Sequence, residues 1–211
     1  MTATLLRAAD LTLKRGERFL FADLSFAVLP GEALILRGPN GVGKTSLLRL
    51  LAGLAVADAG EVYLNEQKLA MLSPMHRAAV LYVGHANALK DELSAEENLA
   101  DQLALDTIAT SLAVRLETLK QVGLLDRRQV AGRKLSQGQK RRIGMARLLL
   151  SDRKLWLLDE PTNALDDAGV ALLLQTVDAH LTRGGIAVIA THLTLPLQGR
   201  VKELVMQEAV R

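Results

Sequence analysis

The stretch Gly38-Pro39-Asn40-Gly41-Val42-Gly43-Lys44-Thr45 decides the fold. Its glycine, lysine and threonine positions fit G-x-x-x-x-G-K-[ST], the pattern of a phosphate-binding loop, which requires a strand before it and a helix after it. Residues 33–37 form a short apolar run typical of a buried strand, and leucines recur at helical spacing over residues 45–54. The sequence therefore predicts a strand, an anion-binding loop and a helix in direct succession.

The residue types of this loop suit the binding of phosphate groups. Its glycines let backbone N–H groups turn inward and approach an anion closely, and the helix that follows adds the positive end of its dipole. Lys44 would place a positive charge between the β- and γ-phosphates of a nucleotide, and the Thr45 hydroxyl would ligate Mg²⁺. We therefore expect residues 38–46, from Gly38 to Ser46, to bind a nucleotide.

A second apolar run, residues 155–158, ends in two carboxylates, Asp159 and Glu160. Ligands of open α/β sheets bind at the carboxyl ends of the strands. We expect Asp159 to hold Mg²⁺, directly or through water, and Glu160 to orient or deprotonate an attacking water. Two acids after a strand also fit a helix N-cap or a solvated turn, but the phosphate-binding loop upstream favours a catalytic pair.

A third motif, Leu135-Ser136-Gln137-Gly138-Gln139, opens a predicted helix that continues to residue 150. Ser136 is a suitable N-cap, and Gly138 leaves the start of the helix open to an anion. By itself the segment predicts only a capped helix. Over residues 89–150 no strand-like run appears, and leucines and alanines recur every three or four residues, so this part is predicted to be a helical insertion.

The remaining pattern predicts an α/β domain around these motifs. The predicted strands comprise an antiparallel pair, residues 5–13 and 19–29, and further runs at residues 79–83, 186–190 and 201–206. A leucine-rich helix is predicted over residues 167–181, before Gly184 and Gly185. No internal repeat interrupts this order, so one domain with an insertion is expected.

The composition of the 211-residue chain narrows its class: 49% of the residues are hydrophobic, 23% are charged, and none is cysteine. Disulfide scaffolds, thiolate metal sites and cysteine nucleophiles are thereby excluded. The longest uncharged stretch, residues 184–199, is shorter than the roughly 20 apolar residues that cross a bilayer. No signal peptide is expected at the N-terminus. The net charge of +3 is small, and aromatics do not accompany the basic clusters, so no nucleic-acid partner is expected.

The three motifs, in this order and spacing, resemble those of the ATP-binding subunits of ABC transporters, in which L-S-G-G-Q is the signature motif. Gln137 replaces the first signature glycine, a substitution that the family tolerates. The resemblance covers essentially the whole chain. It implies a P-loop NTPase of ABC type with a mixed sheet core, an antiparallel β edge and an inserted helical subdomain. The core would comprise residues 1–88 and 154–211, and the subdomain residues 89–153.

The resemblance also implies site residues and cofactors, with ATP as the nucleotide and Mg²⁺ as the metal. His192 stands at the family's switch histidine, which contacts the γ-phosphate. Ser136, Gly138 and Gln139 would face the nucleotide of a second copy of the chain. The loop Asn163-Ala164-Leu165-Asp166 stands where the family has a loop that communicates between the two nucleotide sites.

Two positions depart from the family pattern. His85 stands where the family has a glutamine that touches Mg²⁺ and senses the membrane partner. The family's adenine-stacking aromatic would fall at residues 14–16, where the chain has none, so Arg15 or Phe19 would substitute for it. Histidine ligates metals and hydrogen-bonds water, but its charge depends on pH near neutrality.

Within the family, the chain is similar to the ATP-binding subunits of the haem exporters of bacterial cytochrome c maturation. The similarity rests on Gly84-His85, on the Leu-Trp-Leu-Leu-Asp-Glu-Pro strand and on Gly184-Gly185-Ile186. It implies ATP hydrolysis coupled to translocation, integral membrane partner subunits, and a place on the cytoplasmic face of the inner membrane. The alternatives are another ABC importer or exporter, or a soluble ABC ATPase acting on ribosomes or DNA.

Overall fold

A computed structural model describes residues 5–69 and 74–207 of the chain. Over these residues it contains nine strands and six α-helices, together with short 3₁₀ turns at Leu125–Arg127 and Gly132–Lys134. The strands are β1 (Leu6–Arg15), β2 (Arg18–Val28), β3 (Glu32–Arg37), β4 (Ala59–Leu64), β5 (Gln67–Lys68), β6 (Val80–Val83), β7 (Leu155–Asp159), β8 (Ile186–Ala190) and β9 (Arg200–Val205). The helices are α1 (Lys44–Leu51), α2 (Pro74–Ala79), α3 (Ala95–Leu105), α4 (Leu112–Gln121), α5 (Gln137–Leu150) and α6 (Asp167–Thr182).

The antiparallel strands form a sheet of their own, in the order β2-β1-β4-β5. The predicted antiparallel pair, β1 and β2, is confirmed at one edge of this sheet, because Leu6 pairs with Val28 and Arg15 with Arg18 across a tight turn. Strands β4 and β5, and helix α2, were not predicted. Their sequences give a weak signal, since β4 begins with Ala59-Gly60-Glu61 and buries only two residues, and both residues of β5 are exposed.

The second sheet has the order β6-β7-β8-β3-β9 and positions the candidate site. Strands β7, β8, β3 and β9 pair in parallel, and β7 and β8 are buried throughout, which explains their continuous apolar runs. Ala190, the last residue of β8, is in register with Leu36 of β3 and with Asp159 of β7. The segments that follow these strands therefore begin at one edge of the sheet.

Helix α1 follows the loop, as predicted, but it ends at Leu51 and not at residue 54. The predicted end was wrong because Gly53, with φ of 70°, closes the helix in a left-handed turn. In that turn the N–H of Gly53 donates to Leu50 O (3.0 Å), and the N–H of Leu54 donates to Arg49 O (2.8 Å). The buried leucines of α1 pack in a core with Leu157 and Val188.

The chain divides into two compact units. Unit 1 comprises Met1–Tyr82, Arg153–Glu160 and Val177–Arg211, and unit 2 comprises Val83–Asp152 and Pro161–Thr176. Over the described residues, unit 1 contains both sheets and α1, whereas unit 2 contains α3, α4 and α5. The α/β fold class is confirmed, and the functional division at residues 89–153 stays a prediction. None of the helices in the described part of the chain is long and apolar enough to span a bilayer.

Candidate functional site

The predicted phosphate-binding loop lies between β3 and α1, in unit 1. Gly38 has a φ of 134°, and a Cβ there would lie 2.4 Å from the carbonyl oxygen of Met206, so only glycine fits this position. Gly43 is the N-cap of α1, and it has no side chain that could accept a hydrogen bond from the first turn. The first N–H groups of α1 are therefore available to an anion.

Lys44 is held inside this loop. Its side chain is buried, and its Nζ donates hydrogen bonds to Gly38 O (2.7 Å) and Pro39 O (3.1 Å). A lysine ammonium has three N–H donors, and the two loop carbonyls fix its direction. The loop thus holds one positive charge beside the N-terminus of α1.

Thr45 and Asp159 lie in direct contact. The Thr45 hydroxyl donates a 2.9 Å hydrogen bond to Asp159 Oδ2, and Asp159 is only 2% exposed at the end of the buried strand β7. Carboxylate and hydroxyl oxygens are hard ligands of the kind that Mg²⁺ takes together with phosphate oxygens and water. The pair of oxygens therefore fits the predicted metal.

Glu160 follows in a strained backbone conformation. Its φ is 47°, a left-handed value that costs a residue other than glycine roughly 1–3 kcal/mol. The Glu160 N–H donates to Ala190 O (2.8 Å), so the neighbouring strand β8 holds the turn. Strain of this kind occurs at functional sites, where it fixes the direction of a side chain.

His192 meets the other predicted catalytic side chains through one ring nitrogen. Its Nε2 lies 2.9 Å from Asn40 Oδ1, 3.4 Å from Glu160 Oε1 and 3.4 Å from Lys44 Nζ. With its hydrogen on Nε2 the ring donates to the Asn40 amide oxygen, and Lys44 then lies beside it without a hydrogen bond. His192 therefore lies beside Asn40 and Lys44 of the phosphate-binding loop, and its side chain is half exposed.

A cavity of about 360 Å³ lies between Ser46 and residues 13–15, the segment in which the resemblance predicts the adenine-stacking residue. Arg15 and Ser46 line it, whereas Phe19 does not. The ring of Phe19 is instead covered by Lys14, whose Nζ lies 4.5 Å from the ring centroid. Of the two residues proposed to replace the missing aromatic, the geometry favours Arg15, because a guanidinium stacks on planar rings.

The signature segment lies in unit 2, at the start of α5. Ser136 is the N-cap: its hydroxyl accepts a hydrogen bond from Gln139 N (3.2 Å), and Gln139 Oε1 accepts one from Ser136 N (2.9 Å). This reciprocal pair is a capping box, and it confirms the predicted helix start. Since the Ser136 oxygen acts as an acceptor here, its hydrogen remains a donor for a ligand.

The loop of residues 163–166 packs on this helix start. A Cβ at Gly138 would lie 2.5 Å from Ala164 O, so the loop passes where only glycine leaves room. Asp166 accepts hydrogen bonds from the N–H of Gly169 (3.0 Å) and from Arg142 Nη2 on α5 (2.5 Å). These donors, Gly169 first, hold the pKa of Asp166 below its usual range.

His85 lies in the loop after β6, also in unit 2. It lines a cavity of about 250 Å³ together with Gln137 and Asn163. The loop is tied to α5 by the buried side chain of Arg141, whose Nη1 donates to Gly84 O (2.9 Å). His85 therefore shares a cavity with residues of the signature segment and of the loop 163–166.

The structure groups the predicted site residues into two sets. Residues 38–46, Asp159, Glu160 and His192 belong to unit 1, and His85, Ser136, Gly138 and Gln139 belong to unit 2. Sequence reasoning missed Arg37 and Arg141, which bind backbone carbonyls distant in the chain. No sequence pattern marks such contacts, because any carbonyl can accept them. The roles of all these residues stay predictions.

Proteins with similar sequences carry a common description. "Cytochrome c biogenesis ATP-binding export protein CcmA" of Nitrosomonas europaea is 44% identical over 90% of each chain. The protein of the same name from Dechloromonas aromatica is 46% identical over 95% of this chain and 98% of the relative.

Solved structures show the same fold. A putative ABC transporter ATP-binding protein from Pyrococcus furiosus matches with a TM-score of 0.81 at 22% identity, over 95% of this chain and 97% of that one. A dimeric post-hydrolysis state of the ATP-binding cassette MJ0796, bound to ADP and Pi, matches with a TM-score of 0.78 at 26% identity, over 89% and 88% of the two chains.

The sequence profile of the family described as "ABC transporter" matches residues 21–163. By sequence, by fold and by the order of its motifs, the chain belongs to the ABC transporter family.

Proposed function

We propose that the chain is the ATP-hydrolysing subunit of an ABC transporter complex, with ATP as its nucleotide and Mg²⁺ as its metal. The observation that carries this function is the convergence of Lys44, the Thr45–Asp159 pair, Glu160 and His192 at the carboxyl edge of one parallel sheet. A phosphate-binding loop alone would support binding only. A carboxylate and a histidine beside the loop add the groups that hydrolysis needs.

The loop binds and orients the triphosphate. The N–H groups of residues 40–45 and the ammonium of Lys44 neutralise charge on the phosphoryl group as it is transferred. Thr45 and Asp159 would hold Mg²⁺, which would supply positive charge to neutralise part of the charge of the phosphate groups. Most of the catalysis in this scheme is electrostatic, because the charged groups are already in place before the nucleotide reacts.

Glu160 and His192 act at the γ-phosphate. Glu160 orients a water molecule and accepts its proton as the water oxygen bonds to the γ-phosphorus. The bond from that phosphorus to the bridging oxygen breaks, and ADP leaves with the electron pair. His192 donates a hydrogen bond to a γ-phosphate oxygen. The contact of 3.4 Å between these two side chains supports their action on the same atoms.

The working unit contains two copies of the chain. In this arrangement the phosphate-binding loop of one copy and the Ser136–Gln139 segment of the other enclose each ATP. Two observations support it: the capped start of α5 keeps a hydroxyl hydrogen and N–H groups for an anion, and the similar cassette MJ0796 is a dimer bound to ADP and Pi. The loop of residues 163–166, packed on Gly138, would link the two sites.

The complex serves the export of haem in cytochrome c biogenesis. The names of the relatives from N. europaea and D. aromatica support this assignment, as does the coverage of nearly their whole length. Integral membrane subunits would bind the chain at the cytoplasmic face of the inner membrane, where His85 senses them. Transported haem would contact those subunits and not this chain.

The ATPase is tested by Glu160→Gln and Lys44→Ala. Glu160→Gln keeps the phosphate contacts but removes the carboxylate that activates water, so ATP binding should persist while turnover falls at least 100-fold. Lys44→Ala should weaken both binding and turnover. Exposed Glu92 supplies the matched control, and Glu92→Gln should behave as the parent. Parental turnover of Glu160→Gln in the assembled complex would show that the catalytic assignment is wrong.

The transport assignment needs a separate experiment. Deletion of the gene should abolish haem-stained c-type cytochromes while b-type cytochromes remain, and a copy carrying Glu160→Gln should not restore them. Normal c-type cytochromes in the deletion strain would favour a different ABC importer or exporter without affecting the ATPase assignment.

A further inference from the structure

Arg37 hydrogen-bonds the backbone on both sides of His192. It is the last residue of β3 and directly precedes the loop residue Gly38. Its Nη1 donates hydrogen bonds to Thr191 O (3.1 Å) and to Leu193 O (2.6 Å). These two carbonyls flank His192, so a single guanidinium nitrogen bridges the backbone that carries the imidazole.

The imidazole itself is held through one ring nitrogen. The side chain of His192 is 50% exposed, and its polar contacts, of which that to Asn40 is the shortest at 2.9 Å, all involve Nε2. Its neighbour Thr191 is fully buried, and the Thr191 hydroxyl accepts a 3.1 Å hydrogen bond from the N–H of Leu193. The conformation of this short turn therefore sets where the backbone of His192 presents its half-exposed ring.

Glu203 contacts the other edge of the guanidinium. Its Oε1 lies 3.3 Å from Arg37 Nε and 3.2 Å from Arg37 Nη2, and it comes from the adjacent strand β9. The Glu203 carboxylate is 54% exposed, whereas Arg37 is 19% exposed. Exposed ion pairs stabilise little, but hydrogen bonds from a shielded charged donor to carbonyls are strong. The two carbonyl contacts should therefore matter more than the ion pair.

We propose that Arg37 is a positioning residue for ATP hydrolysis, which holds His192 at the γ-phosphate by bridging the carbonyls of Thr191 and Leu193. The inference rests on the proposed role of His192. Because Arg37 adjoins Gly38, it connects the turn to the phosphate-binding loop in one rigid arrangement. A lysine would supply the charge but not the planar fork that reaches the carbonyls and Glu203 at the same time.

A double-mutant cycle tests this role. Arg37→Met should lower the kcat of ATP hydrolysis about tenfold and leave the Kd for ATP within about threefold, because the phosphate contacts remain. His192→Ala should lower kcat at least as much. When Arg37→Met is added to His192→Ala, kcat should change less than about twofold, since residues that act through one another are not additive.

The control is Glu203→Gln, which removes the ion pair but leaves the carbonyl contacts, and it should keep kcat within about twofold. Arg37→Lys should lose part of the activity, and it replaces Arg37→Met in the cycle if the methionine variant does not fold. Spectra of the protein labelled with ¹⁵N-histidine give a second readout. The resonances of His192 should shift or broaden in the Arg37 variants and stay in place in Glu203→Gln.

Two results would overturn the inference, and they are distinguishable. A large loss in His192→Ala combined with fully additive losses in the double variant would show that Arg37 acts without His192, and the proposed ATPase site would stand. Parental turnover in His192→Ala would refute the role of His192 itself and, with it, that of Arg37.

Discussion

The hydroxyl of Thr45 donates a 2.9 Å hydrogen bond to Asp159 Oδ2, although 114 residues separate them in the chain. Thr45 lies in the first turn of α1, and Asp159 ends β7. Asp159 is buried and Thr45 is exposed, and their hydrogen bond holds the hydroxyl and the carboxylate together at the carboxyl edge of the parallel sheet before a nucleotide binds.

This pair leads to a prediction for Asp159→Asn. The amide keeps the shape of the side chain but removes its charge, so the affinity for divalent metal in the presence of ATP should fall about 10- to 100-fold. Titration with Mn²⁺, followed by electron paramagnetic resonance, would measure it. The control is Asp152→Asn, at an exposed carboxylate. Equal metal affinity in Asp159→Asn and the parent would contradict the metal assignment.

The second prediction concerns the dimer. Glu160→Gln protein should double its mass in solution when ATP and Mg²⁺ are added, because slow hydrolysis preserves the nucleotide between the two copies. Adding Ser136→Arg should prevent the doubling by blocking the signature side. Ser111→Arg is a matched control, since Ser111 is the N-cap of α4 and either change removes a cap worth about 1 kcal/mol. Doubling in the Ser136→Arg protein, measured by light scattering, would contradict the sandwich.

For His85, we expect the change to alanine to leave ATP binding nearly intact and to reduce the stimulation of hydrolysis by membrane partners about two- to tenfold. His85→Gln should preserve stimulation, because an amide retains the hydrogen-bonding groups of the family's glutamine. The measurement is ATPase activity with and without the membrane subunits. Equal stimulation of His85→Ala and the parent would show that this exposed histidine is a bystander.

Arg15 is expected to stack on the base of the nucleotide. Arg15→Ala should raise the Kd for ATP about fivefold, since stacking by a guanidinium contributes on the order of 1 kcal/mol. Phe19→Leu should change it less than twofold, because the Phe19 ring is already covered by Lys14. Calorimetric titration would measure both variants. A larger rise of the Kd in Phe19→Leu than in Arg15→Ala would show that Phe19, and not Arg15, stacks on the base.

The fifth prediction is an acid-sensitive stability caused by His180. Its ring stacks on Trp156 with the centroids 3.8 Å apart, and burial lowers its pKa from 6.5 to about 4. Between these values the unfolded chain binds a proton that the folded chain excludes, so stability falls as the pH falls from 6.5 towards 4. By pH 4 the loss should be on the order of 3 kcal/mol.

Replacing the histidine isolates this contribution. In His180→Phe, which retains a ring against Trp156, the free energy of unfolding should decline less between pH 7 and pH 4 than in the parent. Urea unfolding at each pH provides the measurement. His85→Gln, at an exposed histidine, should retain the full decline. An identical pH dependence in His180→Phe and the parent would rule out His180 as the cause.

Much of this protein is determined by its sequence alone. The loop of residues 38–45, the boundaries of β8 and the capped start of α5 followed from local signals: glycine spacing, continuous apolar runs and the side-chain chemistry of Ser136 and Gln139. Such signals are readable because each depends on residues near one another in the chain. The order of the motifs was sufficient to identify the family.

The tertiary structure alone decided which distant groups meet. Strand β3 lies between β8 and β9, and this order places Arg37 beside the turn at His192 and beside Glu203. It likewise decided that Arg15, and not Phe19, lines the cavity beside Ser46. The weakly patterned strands β4 and β5 are held by pairing, β4 with β1 and β5 with β4. One physical reason applies to the contacts of Arg37, to the cavity and to the pairing of β4 and β5. Contacts between residues far apart in the chain depend on strand order and register, and no local periodicity in the sequence encodes that order.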